Sequence, residues 1–412
     1  MRKVLPEAPS AHAPGALDGV RVLDLTHGVA GPFATRLLGD LGAEVLKVEQ
    51  PQRGDFARYL GPAVAEGPVT ERGLLFQYLN WNKRGITLDL RRPDARPVLR
   101  ELVARSDIVV EAFAPGTMAR WGLDDDVLRD WKKDGALVLT SVTNFGRTGP
   151  YAHFAADDLV LYAMSGIMQI SGRADREPLK HGLRQSLYIG GLNAAYATLA
   201  AYLLVDGTDG MEHVDVSIHE CLASELVLNV AYYAFLGAIQ GRRPVVDDPF
   251  SGRPLRTAKG LVSMQINGPA TIAGYGKLLG QEKLLDGRYA TSGGRTAHAD
   301  ELEQVLQEAL AGHEARDLFT RGSEQRLLLG VVQGAAELLD CPQLTSRDFF
   351  VEVDHPVTGR YRFPGELARL SRTPTSVRRR APLLGEHTEQ VLLDELGMPQ
   401  AQWHALVEAG AI

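Results

Sequence analysis

The spacing of apolar and polar residues in the first half of the chain alternates between strand-like and helix-like patterns. Apolar runs at 20–25 and 45–48 flank a segment at 32–41 with helical spacing, which Gly42 ends. A strand, a helix and a strand in this order place the two strands parallel. Three further strands are predicted within residues 84–90, 106–113 and 135–142. The pattern therefore predicts an α/β fold with an open sheet and helices on both faces.

The second half of the chain predicts a change of organisation. A strand at 213–217 leads into a long apolar helix, and residues 241–254 have the Pro, Gly and charge content of a linker. A smaller α/β segment follows from about 260 to 339, with an amphipathic helix at 299–310, and a hairpin is predicted at 351–365. The predicted parts are a flexible arm (1–18), the first part of a large domain (19–240), a small domain (241–340) and a return to the large domain (341–412).

Residues 177–203 contain a glycine pair within an otherwise apolar segment. The order of residues predicts a polar turn, a tight step at Gly190 and Gly191, and an alanine-rich helix beginning there. Free N–H groups at a helix N-terminus favour anions and reactive groups. No carboxylate lies between Arg184 and Val205, so the predicted helix N-terminus has no acidic side chain.

Composition narrows the classes of function. The chain has 412 residues, a net charge of −7 and two cysteines. The acidic balance argues against nucleic acid as the main partner, and two cysteines fit a reducing cytoplasm, where we expect the protein to act. The first 19 residues lack the apolar region of a signal peptide. The longest apolar run, at 194–205, is shorter than the roughly 18 residues that span a bilayer.

Several common catalytic motifs are absent from the sequence. The turn at residues 26–32 lacks the G-x-G-x-x-G spacing of dinucleotide-binding proteins, and no H-E-x-x-H or G-x-S-x-G motif occurs. We therefore expect the protein to bind neither a nicotinamide cofactor nor a metal, and we do not expect it to be a serine hydrolase. Two adjacent acids, Asp157 and Asp158, precede an apolar helical run, where one of them suits a helix cap. A helix cap uses one carboxylate, so capping explains one of these two acids better than it explains the pair.

Five ordered sequence blocks resemble the family III CoA-transferases, a group that includes the α-methylacyl-CoA racemases. The blocks extend from "LDGVRVLDLTHGVAGPFATRLLGDLGAEVLKVEQPQRGD" through "NWNKRGITLDL", "DIVVEAFAPGTMARWGL" and "FGRTGPYA" to "APLLGEHTEQVL". The resemblance implies a Rossmann-like large domain built from both chain ends, a smaller inserted α/β domain, and two chains interlocked as a dimer. It also implies coenzyme A or an acyl-CoA as substrate, together with a carboxylic acid, and no metal.

The resemblance also assigns candidate residues to the CoA site. It places His27 and Val29 in the loop that approaches the thioester, and it places Leu88, Arg91 and Arg120 among the CoA-binding residues. Arginine suits the phosphates of CoA because its planar fork donates several hydrogen bonds. The sequence departs from the family pattern at Val29, where some transferases carry Gln, and at Gln50, where a phosphate-binding Arg is often found.

The largest departure concerns the catalytic aspartate of the family. The resemblance aligns that residue, which forms an acyl anhydride and then a CoA thioester, with Leu187. Three hypotheses follow: a transferase subunit that works with a homologous catalytic chain, an active enzyme that uses Asp158 or Asp157 for acid and base chemistry, or a protein that only binds acyl-CoA. Racemisation is disfavoured because it needs two opposed groups, and Leu187 removes one of them.

Overall fold

The computed structural model describes residues 14–132, 134–242, 254–266 and 268–412. The chain divides into two compact units. The first is drawn from Met1–Gln169, Leu179–Leu228 and Ser346–Ile412, and the second from Ile170–Pro178 and Asn229–Thr345. Most of the predicted N-terminal arm (1–18) and of the predicted linker (241–254) lies outside the described residues. Both parts of the chain that flank the second unit thus contribute to the first.

A six-stranded parallel sheet forms the centre of the first unit. Its strand order is β3-β2-β1-β4-β5-β6, and every neighbouring pair is parallel. The strands are β1 (Arg21–Asp24), β2 (Glu44–Glu49), β3 (Lys83–Thr87), β4 (Ile108–Glu111), β5 (Leu137–Thr143) and β6 (Met211–Ser217). This order is that of Rossmann-type sheets, so the predicted fold class is confirmed for the large unit.

Successive residues of the strands enter two different cores because side chains alternate between the faces of a sheet. Val22 belongs to one buried cluster and Leu23 to another, and Val138 and Leu139 divide in the same way. All seven residues of β5 are buried. Strands covered on both faces therefore show nearly continuous apolar runs, which is the pattern that predicted them.

Helices cover this sheet and connect its strands. They are α1 (Ala30–Asp40), α2 (Leu74–Asn80), α3 (Arg96–Ala104), α4 (Thr117–Arg120), α5 (Asp125–Trp131), α6 (Asp158–Met164), α7 (Ile167–Ile170), α8 (Gln185–Val205) and α9 (Ile218–Ala223). Short 3₁₀ turns occur at Phe56–Tyr59, Val69–Glu71, Pro93–Ala95 and Ser224–Leu226. Helix α10 (Val227–Leu236) begins in the first unit and continues in the second.

The glycine pair lies inside α8, so the prediction that the helix begins there is wrong. The helix starts at Gln185, and a Cβ on Gly191 would stand 2.5 Å from the Ala30 carbonyl oxygen of α1. A Cβ on Gly190 would stand 2.7 Å from the Ile218 side chain. The glycines therefore allow close packing of α8 against its neighbours rather than opening an anion-binding end.

Helix α8 is also longer than the apolar run recognised in the sequence. It has 21 residues, and by length and composition it is the one helix among the described residues that meets the requirement for crossing a membrane. Its buried residues, among them Ala194, Ala195 and Thr198, pack within the first unit against α1, β5 and β6. The buried face of α8 is therefore part of the core of the first unit.

The C-terminal part of the chain completes the first unit. Strands β10 (Phe350–His355) and β11 (Gly359–Pro364) form an antiparallel hairpin, as predicted. After the hairpin, a π-helix at Gln390–Glu395 is followed by α17 (Gln400–Glu408). Val391, Leu392 and Leu406 fill the core beneath the sheet.

The second unit has its own sheet and core. Strands β7 (Leu255–Arg256), β8 (Leu261–Met264) and β9 (Leu329–Val331) are antiparallel. Its helices and 3₁₀ turns are α11 (Pro269–Leu279), the turns Glu282–Leu285 and Gly287–Tyr289, α12 (Ser292–Ala297), α13 (Ala299–Leu310), α14 (Ala315–Glu324), α15 (Ala335–Leu339) and α16 (Pro342–Ser346). Helix α13 has the bounds predicted for the amphipathic helix, and its apolar face, including Leu302 and Leu306, is buried.

Candidate active site

A cavity of about 360 Å³ opens at the carboxyl ends of four strands of the large sheet. Residues at or just beyond these ends line it: His27 after β1, Glu49 at the end of β2, Leu88 after β3 and Phe113 after β4. Ligands of open parallel sheets bind where the strand order reverses, which here lies between β1 and β4. The remaining lining residues are Leu25, Thr26, Val48, Gln50, Arg53, Gly54, Asp55, Phe56, Tyr59, Asp89, Leu90, Arg91 and Trp121.

The turn after β1 requires glycine at one position. Gly28 has a φ of +82°, and a Cβ there would lie 2.4 Å from the Phe56 ring. Its N–H donates a 2.7 Å hydrogen bond to Asp55 Oδ1. The His27 ring then contacts two aromatic rings, with centroids 5.3 Å from Phe56 and 5.5 Å from Phe113. This turn therefore holds the imidazole in the wall of the cavity.

Burial sets the protonation of His27. Loss of hydration lowers the pKa of its imidazole below 6.5, and Lys47 lowers it further, while Asp55 and Asp24 oppose the change. A ring with a lowered pKa is neutral at pH 7. A neutral imidazole donates one hydrogen bond and accepts another, which suits a group beside a polar ligand.

Four buried charges form a network beneath this turn. Lys47 Nζ lies 3.0 Å from Asp55 Oδ2 and donates to the Thr26 carbonyl at 2.8 Å. Lys83 Nζ lies 2.9 Å from Asp24 Oδ2. The Lys83 ammonium has further acceptors within 2.9 Å at Pro32 O, Thr35 Oγ1 and Asn80 Oδ1. The network anchors the cavity turn to three strands of the sheet.

The pKa values of these groups reflect competition between burial and pairing. Burial lowers the pKa of Lys83 to about 8 despite its pairing with Asp24. Burial also acts against the charged form of Lys47, but Asp24 and Asp55 raise its pKa above the usual value. Burial alone would raise the pKa of Asp24, and the two lysines instead hold it well below the usual range. Asp24 therefore remains ionised at neutral pH.

A buried arginine fixes the loop that forms another wall of the cavity. Arg58 Nε donates to Glu49 Oε2 at 2.8 Å, and Arg58 Nη1 donates to Glu71 Oε2 at 2.9 Å. The guanidinium carbon lies 3.7 Å from the centroid of the Phe76 ring, a cation–π contact. Two carboxylates thus satisfy one guanidinium, and the loop carrying Phe56 is tied to the end of β2.

Arginines at the mouth of the cavity are exposed. Arg53 and Arg91 both line it, and Asp89 orients Arg91 through a 2.7 Å ion pair. Hydrogen bonds from Arg91 hold the pKa of Asp89 below its usual value. Arg120 ends helix α4 beside Trp121 and donates to Thr117 Oγ1 at 2.7 Å. The mouth is therefore cationic, whereas the walls are largely aromatic and aliphatic.

The structure brings together some of the predicted CoA-binding residues. His27, Leu88 and Arg91 line the same cavity, and Arg120 is adjacent to the lining residue Trp121. Val29 does not line it. It lies instead in a buried apolar cluster with Phe33, Ala57, Phe76, Leu79 and Ala381.

Asp157 and Asp158 make different contacts, and neither lines the cavity. Asp157 caps α6, because its Oδ1 accepts hydrogen bonds from the N–H groups of Leu159 and Val160. Asp158 is buried, and its Oδ1 accepts from Ser186 N at 3.1 Å and from Ser186 Oγ at 2.6 Å. Its other oxygen lies 2.7 Å from Lys180 Nζ. Asp158 thus supplies negative charge to the N-terminus of α8.

Leu187 lies in the first turn of α8. Its side chain is half-buried and packs against the cluster that contains Val29 and Phe33. No acidic residue occurs in this first turn, and the helix has no side-chain N-cap of its own. Position 187, where the sequence resemblance predicts the family aspartate, is therefore apolar, and the Asp158 carboxylate of α6 contacts the adjacent helix N-terminus.

Sequence reasoning missed the buried charged network beneath the cavity. The signal was present in the strands themselves, since Asp24, Lys47 and Lys83 interrupt or border apolar runs of a parallel sheet. A charge on a strand covered on both faces needs a partner, because an unpaired buried charge is strongly unfavourable. The sequence does not specify which charge pairs with which, because the partners are up to 59 positions apart.

The cavity and its surroundings hold no evident metal site. Within the described ranges, no group of three or more His, Cys, Asp and Glu side chains is placed to bind a metal ion. The polar side chains at the cavity are the neutral His27, the paired carboxylates and the arginines of the mouth.

Comparison with known proteins identifies the family to which the chain belongs. The family model of CoA-transferase family III matches residues 17–388. The chain is 32% identical over 391 residues to the succinate–glutarate CoA-transferase of Agrobacterium fabrum, covering 92% of this chain and 95% of the relative. It is 29% identical to the beta subunit of the succinyl-CoA–L-malate CoA-transferase of Chloroflexus aurantiacus, covering 94% and 95%.

A solved structure shows the same fold. A CAIB/BAIF family protein from Brucella suis superposes with a TM-score of 0.82 at 29% identity, covering 92% of this chain and 99% of that one. The resemblance inferred from the sequence blocks is thereby confirmed.

Proposed function

Because the chain belongs to CoA-transferase family III, we propose that it takes part in moving CoA from an acyl-CoA thioester to a carboxylic acid, as a subunit without its own aspartate nucleophile. In such a transfer one thioester C–S bond breaks and another forms, and the donor leaves as a carboxylate. The observation that carries the proposal is Leu187 in the first turn of α8, within an otherwise well-formed site.

The cavity supports the CoA part of the proposal. Its volume of about 360 Å³ lies within the range of small-molecule sites. Phe56, Tyr59 and Trp121 offer apolar surface for a long flexible ligand, while Arg53 and Arg91 offer donors for phosphates. The cavity sits at the topological switch point of the sheet, where Rossmann-type folds bind nucleotide-containing ligands.

The proposal of a missing nucleophile is supported by the chemistry of Leu187 and of the two cysteines. Leucine has no nucleophilic atom, and nucleophilic catalysis needs one. The two cysteines do not replace it, since Cys221 lies in α9, where burial raises its thiol pKa to about 11, and Cys341 lies in the second unit. A thiol with a raised pKa is a poor nucleophile at pH 7.

The alternative hypothesis, an active enzyme using Asp158 or Asp157, has less support from the contacts. The Asp157 carboxylate is used in capping α6, and that of Asp158 is used by Ser186 and Lys180. A general base must lie within reach of its substrate, and neither carboxylate lines the cavity. We therefore propose that Asp158 positions the start of α8 rather than transferring a proton.

Exposed apolar side chains support the proposal of a second chain. On α8, Leu203 and Leu204 are 77% and 69% exposed, and on α10, Phe235 is 86% exposed. Val227, Leu228, Val230, Tyr233 and Leu236 of α10 are also exposed. Several large exposed apolar side chains on one helix, as on α10, are typical of protein–protein interfaces. We propose that these surfaces are covered by a homologous transferase subunit in an interlocked dimer.

The partnership is tested by reconstitution. The tagged chain, isolated from its native host, is analysed by mass spectrometry for bound proteins, and transfer from succinyl-CoA to a panel of carboxylic acids is measured with and without the recovered partner. We expect a homologous chain with an aspartate at the position of Leu187, and transfer only when both chains are present. Transfer by the isolated chain alone would favour the alternative enzyme. Acyl-CoA binding without transfer in either state would indicate a binding protein.

CoA binding is tested separately with a matched pair of variants. Arg91→Ala removes a guanidinium that lines the cavity, whereas Arg92→Ala removes a neighbouring exposed guanidinium that does not line it. Loss of one charge-assisted contact should weaken CoA binding about tenfold in the first variant and leave it unchanged in the second. Equal affinities of the two variants and the parent in calorimetry would refute this location of the CoA site.

A further inference from the structure

Three adjacent strands present polar side chains on one face of the large sheet. Glu111 on β4 is in register with Ser141 on β5, and His213 on β6 is two positions from the residue paired with Ser141. Because side chains alternate along a strand, the three share a face. That face otherwise belongs to the apolar core containing Val109 and Leu139.

Hydrogen bonds join these residues in a row. Ser141 Oγ lies 2.9 Å from His213 Nε2, and from the neighbouring strand the Ser141 hydroxyl lowers the pKa of the Glu111 carboxyl. His213 Nδ1 lies 2.5 Å from Asp125 Oδ2, in the first turn of α5. Arg147 Nη2 completes the outer end, 3.3 Å from Asp125 Oδ1. The row therefore runs from a buried carboxyl to a partly exposed ion pair.

The order serine, histidine, aspartate is that of a hydrolase triad, but this serine is not accessible. Ser141 is only 1% exposed, and it lies beside a carboxyl group instead of an open oxyanion site. A nucleophile must reach its substrate. The row of Glu111, Ser141 and His213 is therefore not a hydrolytic site.

The inner end of the row reaches the wall of the cavity. Glu111 Oε2 accepts a 2.7 Å hydrogen bond from the N–H of Phe113. The Phe113 ring packs against two other lining residues, with centroids 5.5 Å from His27 and 5.0 Å from Trp121. Glu111 itself does not line the cavity. A change at Glu111 therefore reaches the cavity through the Phe113 backbone.

We propose that Glu111 is a positioning residue of the CoA site, which holds Phe113 against His27 and Trp121 and is itself held in place by Ser141 and His213. The part concerning CoA rests on the function proposed above. The part concerning the position of the cavity wall stands on these contacts alone.

The charges around Glu111 are consistent with such a role. Burial raises the pKa of its carboxyl, while the Ser141 and Phe113 hydrogen bonds and Arg147 lower it, and Asp125 raises it. The Ser141 hydroxyl has one proton, so it donates either to Glu111 or to His213 Nε2. When it donates to Glu111, the Nε2–H of His213 donates to Ser141.

The test uses free coenzyme A and a fluorine label on tryptophan. Protein containing 5-fluorotryptophan is studied by ¹⁹F NMR, with the Trp121 resonance assigned from Trp121→Phe, and CoA affinity is measured by calorimetry. Glu111→Ala removes the acceptor for Phe113, whereas Glu111→Gln keeps an amide oxygen in its place. Glu101→Ala, on the exposed surface of α3, is the matched control.

We expect Glu111→Ala to shift the Trp121 resonance and to weaken CoA binding roughly tenfold. The reason is that the variant loses one buried hydrogen bond, which holds Phe113 in position. Glu111→Gln should recover most of the affinity, and Glu101→Ala should match the parent. A folded Glu111→Ala protein with unchanged affinity and an unmoved Trp121 resonance would overturn the proposal.

Two further results keep the test decisive. If Glu111→Ala does not fold, Ser141→Ala replaces it, with an expected shift of the same resonance, and an unmoved resonance in that variant overturns the proposal. If the parent protein does not bind CoA, the proposed function fails, and the Trp121 resonance alone decides whether Glu111 positions the wall.

Discussion

Replacing Gly191 by alanine tests the contact between α8 and the helix that follows the cavity turn. The added Cβ would lie 2.5 Å from the Ala30 carbonyl oxygen and 3.1 Å from the Phe33 ring. A normal contact is about 3.5 Å, so the two helices must separate by roughly 1 Å in a close-packed interior. The Ala30 oxygen is a backbone atom of α1, so it cannot move aside as the end of a flexible side chain could.

The expected magnitude follows from two opposing effects. Overpacking of a core destabilises by about 1–3 kcal/mol, while alanine is favoured over glycine inside a helix by about 1 kcal/mol. We expect Gly191→Ala to lower the free energy of unfolding by up to about 2 kcal/mol. Gly190→Ala should be milder, because its Cβ would meet the Ile218 side chain at 2.7 Å rather than backbone.

Urea unfolding followed by circular dichroism measures these differences, since the midpoint reports stability when the slope is unchanged. Gly293→Ala is the matched control, because it lies in α12 and no atom stands within 4 Å of its added Cβ. We expect that control to be neutral or slightly stabilising. Equal stability of Gly191→Ala and Gly293→Ala would show that the helix contact is looser than described.

Three further predictions concern buried polar groups. Lys83→Met should lower stability by about 3–5 kcal/mol in chemical unfolding, because it leaves Asp24 with a weaker partner, and a neutral result would refute the network. Asp158→Asn should lower stability by about 1–2 kcal/mol through weaker contacts to Ser186 and Lys180, and an unchanged unfolding midpoint would count against this positioning role. The raised pKa of Glu111 means that the native state binds its proton more tightly than the unfolded chain, so this carboxyl destabilises the fold as pH rises above 4.5. Glu111→Gln should therefore gain stability relative to the parent as pH rises above 4.5, and a pH-independent difference would contradict the raised pKa.

The sheet could be predicted from the sequence because its strands are buried on both faces. Apolar runs located β1, β2, β4 and β5 to within a few residues, and helical spacing located α13 with its observed bounds. The start of α8 was missed because the polar residues Gln185 and Ser186 hide the first turn, and the glycine pair looked like a boundary. Helical glycines that serve close packing are not distinguishable from cap glycines in a single sequence.

The candidate site was predicted only in part. His27, Leu88 and Arg91 came from the family resemblance and lie on one cavity. The row of Glu111, Ser141 and His213 was not predicted, because its members come from three strands that are adjacent only in the folded sheet. Spacing along the chain carries no information about such pairs until the strand order is known.

The central claim is that this chain binds acyl-CoA but lacks the nucleophile that would become acylated. The most direct test incubates the isolated chain with an acyl-CoA that calorimetry shows to bind, followed by hydroxylamine trapping and peptide mass spectrometry. Leu187→Asp is the matched variant, because a carboxylate in the first turn of α8 is favoured by the helix dipole. The account predicts no adduct on the parent chain and an aspartyl adduct at position 187 in the variant. An adduct on Asp157 or Asp158 of the parent chain would contradict it.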